Sequence, residues 1–491
     1  MGFKQYFTSQ KSPPPRIATD TVVPLNKVDY LYDGTMELVL RFDDVLDPER
    51  LRQSLSRLLE IGNWRKVGAR VRQRNSPTGV AYEYHIPEKY TAERPGYIYR
   101  VSTYSGSISQ HPVSARLPKQ PSGLSILSST EGFESFGLQP GDPRRLADWA
   151  YTDLPPLFFH HIIFDDATII AMSYPHTLMD GIGHGTFLRA WAATLHEKEH
   201  EVPGLDESDD VRSHLTESTP AQNSVLNRYV LGKFQTIVFA ARRLFETLCH
   251  TQEDRIVCIP GAFVQELRAK ALADLNPAEK VFISENDVVL AWFASTILSV
   301  AGASKSRSLV LMNSFDIRAV ALPSQAACIH NAALPAYTVV PIREIQSLGS
   351  LAAQIRQSLV QQRVPEQIEA CYNLMTTKLE HTGKPPIIAA SDGFTILFSN
   401  WEKAGLFHLD FSPAVSMIGV PLEQRSTKIG RPSSVVCSTP LSGIGTRSAG
   451  CCLGKDPQGN WWVQWCLRRR EWALLDELLC QIDDKRPPEA V

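Results

Sequence analysis

The pattern of apolar and polar positions switches most sharply at residues 168–196. Thr168-Ile-Ile-Ala-Met-Ser-Tyr174 is an apolar run of strand length and reads as a buried strand. Pro175 predicts the end of ladder pairing, and Gly181 and Gly183 predict a tight turn. From about Ile182 to His196 the period becomes helical, with Phe187, Leu188, Trp191 and Leu195 at helical spacing. Phe158 to Phe164 is a second apolar run, and Asp165-Asp166 between the two predicts a hairpin leading into the turn. Upstream, Met36 to Phe42 alternates like a half-buried strand. Asp47 opens a helix through Glu60, with Leu51, Leu55, Leu58 and Leu59 on one face. Trp64 to His85 holds short alternating runs broken by Asn75-Ser-Pro-Thr-Gly79, a further hairpin.

Residues 103–145 are rich in Ser, Gly and Pro and read as loops. Between Glu201 and Asn223 the chain turns acidic and rich in Ser, Thr and Pro, and periodicity fades. This linker divides an N-terminal domain, 1–200, from a C-terminal one, 224–491. Leu226 to Leu248 then reads as one long amphipathic helix, whose few cations argue against a membrane-surface role. Helices are expected at Phe263–Leu272, Glu285–Val300, Ile345–Gln361 and Glu471–Gln481. Strands are expected near Ile256, Leu309–Asn313, Thr338–Val340, Thr395–Phe398, Ala414–Ile418 and Trp461–Leu467. Helices and strands interleave in both halves, so the fold class is α/β.

Composition narrows the function more than the fold. A chain of 491 residues exceeds one ordinary core and implies two domains. Fifty basic residues stand against 52 acidic ones, so bulk charge gives no case for nucleic acid or a membrane surface as partner. The nine cysteines are scattered without C-x-x-C pairs or zinc spacing, as expected of reduced thiols in a cytoplasmic protein. No apolar run approaches the roughly 20 residues of a membrane span, and the N-terminus is too polar for a signal peptide.

The candidate chemistry sits at His176-Thr-Leu-Met-Asp180-Gly181. A histidine at the mouth of a strand, ahead of glycines and a helix, is placed to meet a substrate. Its near-neutral pKa suits removing a proton from a hydroxyl or amine. The alternative is a core histidine with Asp180 as helix N-cap. His160-His161 with Asp165-Asp166 is a weak metal set, because adjacent strand residues face opposite ways. His184 reads as a pocket or helix-start residue. Lys305-Ser-Arg307 is a small basic loop, either exposed or able to meet phosphates. Gly443-Ile-Gly445 with Gly450 lacks the strand–helix frame of a phosphate loop, and no G-x-S-x-G elbow is present.

H-x-x-x-D-G after a strand is the signature of the CoA-dependent BAHD acyltransferases and of the related condensation domains of peptide synthetases. Other segments resemble the BAHD pattern in the same order. They are Pro24-Leu-Asn-Lys-Val-Asp29, Ser284-Glu-Asn-Asp287-Val-Val-Leu-Ala-Trp292, Asn313-Ser-Phe-Asp316-Ile-Arg318, His330-Asn331, and Ser399-Asn-Trp401 followed by Asp410-Phe411. The resemblance runs from about residue 20 to residue 480. It is nearest in kind to fungal secondary-metabolite acetyltransferases such as the trichothecene acetyltransferase group. The chain departs from the pattern in three places. Asp410-Phe-Ser-Pro-Ala414 replaces D-F-G-W-G, His330 stands where the family has glycine, and one extra residue follows Asn313. Pro175 occupies the place of the second histidine usual in condensation domains.

The resemblance implies two chloramphenicol-acetyltransferase-like α/β domains of mixed sheets with a solvent channel between them. It implies transfer of an acyl group, acetyl for preference, from acyl-CoA to a hydroxyl or amine of a small metabolite. His176 would be the general base in a ternary complex, and Ser399 and Trp401 would offer a hydroxyl and an indole N–H to the developing oxyanion. Asp180 would turn away from the site to pair with Arg318, with Gly181 and Asp410 as structural support. Lys305, Arg307 and Ser284 are the candidates for holding CoA. No permanent cofactor, metal, nucleic acid or membrane is expected, and the chain is expected to be a monomer. The rival readings are a free-standing condensation-type domain using carrier-bound acyl groups and a binding protein that has lost catalysis.

Overall fold

The computed structural model describes residues 13–76, 79–206, 218–322, 327–438 and 448–483, together with Arg212 and Leu215. Two mixed sheets organise them. The first has five strands in the order Pro432–Cys437, Thr35–Phe42, Thr168–Pro175, Phe158–Ile163, Ile98–Thr103. Its pairs are antiparallel except the last, where Ile98–Thr103 runs parallel to Phe158–Ile163. The second has seven strands in the order Ala333–Pro341, Ser308–Asp316, Phe394–Asn400, Ser448–Lys455, Trp461–Arg468, Gln252–Ile259, Ser125–Ser129. In it Phe394–Asn400 lies parallel to both neighbours.

The sequence linker separates most of these strands, but two cross it. Ser125–Ser129, from a stretch read as loop, joins the second sheet, and Pro432–Cys437 joins the first. Each half therefore lends an edge strand to the other. All eight residues of Thr168–Pro175 are buried, as a central strand covered on both faces requires. The strand also outlasts the expected stop: Thr35 pairs with Pro175, and the His176 N–H reaches the Gly34 carbonyl at 2.9 Å. The expected hairpins at 158–174 and 70–86 both form, the tip at 77–78 lying outside the described residues.

The helices follow their caps. Asp47 accepts from the Glu49 and Arg50 N–H groups ahead of Pro48–Leu58, with Pro48 at the first helical position. That helix buries Leu51, Leu55 and Leu58 against Gly181–Leu195, where the Trp191 indole donates to the Leu51 carbonyl and the Ser54 hydroxyl. One expectation fails and one helix was not foreseen. The helix foreseen over 226–248 starts only at Lys233, because Gly232 interrupts it and Asn227–Tyr229 forms a separate 3-10 turn. Pro365–Thr382 is a helix that periodicity did not reveal, although Pro365 at its start and Gly383 at φ 68° past its end are standard punctuation.

Candidate active site

His176 stands where the motif strand leaves the first sheet. Its ring stacks on Tyr32 at 4.7 Å between centroids, with planes 29° apart. Tyr32 arrives on the Lys27–Tyr32 turn, whose N-cap Asn26 accepts from the Val28 N–H. Burial pushes the imidazole pKa below its ordinary value, resisted by its own carbonyl, Asp180, Asn331 and Asp29. The ring is therefore neutral at physiological pH. Its Nδ1 is buried without a hydrogen-bond partner, and so is the Asn331 Oδ1. Burial, then nearby carboxylates, push the Tyr32 phenol up to about 12, so it too stays neutral.

Asp180 is the opposite case, with its carboxylate saturated. Oδ1 accepts from the Ile182 and Gly183 N–H groups at 3.1 and 2.8 Å, capping the helix that begins at Gly181. Arg318 forks onto both oxygens at 2.8 and 3.2 Å, and the Ala332 N–H adds a bond at 2.9 Å to Oδ2. Burial opposes ionisation, but Arg318 and the backbone donors outweigh it and hold the carboxyl below its ordinary value. Arg318 also donates to the Cys328 and His330 carbonyls and to Asp316. Asp180 thus fastens the motif turn to the segment 328–332.

Glycines let three chain segments close on the start of this helix. A Cβ on Gly181 would sit 2.2 Å from Trp401 Nε1, one on Gly183 would sit 1.9 Å from the Ile329 carbonyl oxygen, and one on Gly185 would strike Ala404. Gly181 therefore brings the Ser399–Trp401 turn beside the motif. Trp401 donates its indole N–H to Ser399 Oγ at 3.0 Å, and its ring meets His184 edge-on at 4.9 Å. This alters the expected pair of oxyanion donors. The indole N–H is already engaged, so only the Ser399 hydroxyl proton remains to be donated outward. His184 is a buried core residue: its Nδ1 lies 2.9 Å from the Tyr174 hydroxyl, and burial pushes its pKa down to about 3.

Residues quoted only for their pattern prove to form the floor of the site. Asp29, fully buried, takes a fork from Arg212 at 2.9 and 2.7 Å and an amide N–H from Asn331 at 3.1 Å. His330 Nε2 lies 3.3 Å from the same carboxylate. The P-L-N-K-V-D and H-N segments, 301 residues apart at Asp29 and His330, are thus one buried ionic cluster next to His176. Tyr32 was not singled out in the sequence, and its only signal was proximity to the first of those motifs.

Of the candidates for holding CoA, Arg307 and Ser284 are engaged within the fold and Lys305 is exposed. Arg307 donates to the Asp392 and Gly393 carbonyls at 2.8 and 2.7 Å and stacks over Phe394, so it is a clamp between strands. Lys305 is exposed on the same turn, at the start of Ser308–Asp316 and the opposite end from Arg318. Ser284 caps Glu285–Val300, donating to Asp287 and accepting from Arg356. Lys455, unnoticed before, bonds Glu285 and Glu402 at 2.7 and 2.9 Å, and Asn400 bonds Asn286 at 2.6 Å. Asp410 caps the Ser412 N–H while buried Phe411 packs edge-on against Phe42 and Trp191, a structural loop despite its altered sequence. His160 and His161 bond Ser102 and Tyr99, and Asp165 and Asp166 cap the 106–108 turn. Gly443 and Gly445 lie outside the described residues. Among the described residues, no group of three or more His, Cys, Asp and Glu side chains could hold a metal.

Comparison with known proteins places this geometry. Residues 143–431 match the model of the family described as Transferase family. The chain is 62% identical over 462 residues to the O-acyltransferase pboC of Aspergillus ustus, covering 94% of this chain and 98% of that one. It is 34% identical over 512 residues to the acetyltransferase sphE of Aspergillus fumigatus, covering 98% of each. Among solved structures, F. sporotrichioides TRI101 complexed with Coenzyme A and T-2 aligns with a TM-score of 0.64 at 17% identity, over 94% of this chain and 98% of that one.

Proposed function

The chain belongs to the Transferase family, the BAHD-type acyltransferases, and from that premise we propose that it moves an acetyl group from acetyl-CoA to a hydroxyl or amine of a small metabolite. His176 is the general base, and both substrates are bound together. The observation that carries this reading is the neutral, stacked imidazole of His176 with a spare ring nitrogen. A small closure that joined Nδ1–H to Asn331 Oδ1 would fix the tautomer with Nε2 as the basic nitrogen. Nε2 then takes the acceptor's proton as its oxygen or nitrogen attacks the thioester carbonyl. The carbonyl oxygen gains charge and accepts from the Ser399 hydroxyl, which Trp401 holds in orientation. The C–S bond breaks, and the CoA thiolate recovers the proton from the imidazolium. No acyl-enzyme is needed, because the thioester is already activated.

His176 and Ser399 come from opposite halves of the chain, so the reading requires them to line one passage, open to CoA on one side and the acceptor on the other. The protein works as a cytoplasmic monomer with acyl-CoA as co-substrate. The relative named an acetyltransferase and the neighbour complexed with Coenzyme A and T-2 support the choice of donor. The test is thiol release from acetyl-CoA, compared with malonyl-CoA, over a panel of small alcohols and amines that includes T-2. Release that needs an acceptor and favours acetyl-CoA is expected. Release without any acceptor would make the chain a thioester hydrolase and overturn the proposal.

A further inference from the structure

The Lys233–Cys249 helix is built inside out. A surface helix ordinarily turns its apolar stripe to the core. Here Phe234, Ile237, Leu244, Phe245 and Leu248, at helical spacing, stand 61 to 77% exposed. The ion pair points inward instead. Arg243 holds Glu246 at 2.9 Å with both side chains under one-fifth exposed, and Arg468 approaches Glu246 at 3.8 Å. The helix is held just ahead of its start by the Leu231 N–H on the Ile387 carbonyl and at its middle by Arg242 on the Ser391 carbonyl, at 2.9 and 2.8 Å. Its orientation is therefore set by the fold, and the apolar stripe faces outward by construction.

We propose that this face docks on a phospholipid bilayer containing anionic lipid, the helix lying along the surface. Three observations favour a bilayer over a second copy of the chain. Glu246 is the helix's one acid and is engaged inward, while Lys233 and Arg242 are exposed, as is Lys384 three residues before Ile387. That basic fringe complements anionic headgroups and would repel itself across a two-fold interface. The five side chains offer roughly 600 Å², short of the roughly 800 Å² per partner of a stable dimer. Interfacial helices need only a stripe of this kind, because their binding grows with apolar area and basic charge. No helix among the described residues is long and apolar enough to cross a membrane, so the helix lies on the surface and does not span it. The low cation count that argued against such a role in the sequence left out which side the acid and the aromatic residues face.

The full chain should sediment with vesicles of phosphatidylcholine and phosphatidylserine, more weakly with phosphatidylcholine alone, and less in high salt. Replacing Phe245→Glu and Leu248→Glu together should cut the bound fraction about tenfold while leaving CoA release in solution unchanged. A wild-type chain that stays in the supernatant overturns the proposal, as does a double variant that sediments equally well. Light scattering that finds a dimer split by the same two substitutions assigns the face to a second copy instead.

Discussion

The two sides of one turn differ in how completely their polar groups are paired. On one side His176 keeps a buried ring nitrogen without a partner and stacks on the face of Tyr32. Four residues on, Asp180 has both oxygens taken by Arg318 and by the N–H groups of Ile182, Gly183 and Ala332. A buried polar group left unpaired costs stability and leaves a position that a substrate can complete. A saturated one is a rivet. On the proposed reading the histidine carries the chemistry and the aspartate the architecture, although the two share a motif.

The largest expected effect breaks the chemical side. His176→Ala should slow turnover by about 10²–10⁴ with the fold retained, read from acceptor-dependent CoA release beside circular dichroism. Asp180→Ala should act on the other axis. It leaves Arg318 buried without its main counter-charge and should cost about 3–5 kcal/mol of stability, measured by denaturant unfolding. Equal stability in that variant would contradict the rivet role. Ser399→Ala should lower turnover by about 10² with little change in CoA affinity, and Trp401→Phe, which removes only the orienting N–H, should do less. A larger loss in the tryptophan variant would mean that the indole itself serves the oxyanion.

The smallest effect sharpens the comparison through pH. His176 has its pKa lowered, so the acid limb of kcat/KM should fall below 6.5, and a limb above that value would count against its burial. His161 and His184, at about 4 and 3, lie below the 6.5 of an unfolded histidine. Between those values the unfolded chain binds more protons than the folded one. Stability present above about pH 6.5 should therefore drain away towards pH 4 and 3, as unfolding midpoints at pH 7.5 and 5 can show.

Much of this was legible in the chain because it was local. The strand into His176, the Asp47 and Asp180 caps and the Glu285–Val300 helix leave their mark within a few residues. The Asp180–Arg318 pair spans 138 residues and came from the family resemblance, not from periodicity. What was missed is non-local. Nothing near Tyr32 announces that it will stack on a residue 144 positions away, and nothing near Ser125–Ser129 announces the sheet it joins. Arg307 looked like a free cation because a sequence does not show the carbonyls a guanidinium has found. Ser448–Lys455, a buried strand of small residues and cysteines, lacks the β-branched run that marks a strand.

The division of labour within the turn is tested most directly by measuring acetyl transfer and the unfolding midpoint together for His176→Ala and Asp180→Ala. A slow enzyme with a wild-type midpoint is expected for the first and a lowered midpoint for the second. A His176→Ala protein that keeps its rate, or two variants that lose rate and stability in equal proportion, would contradict it.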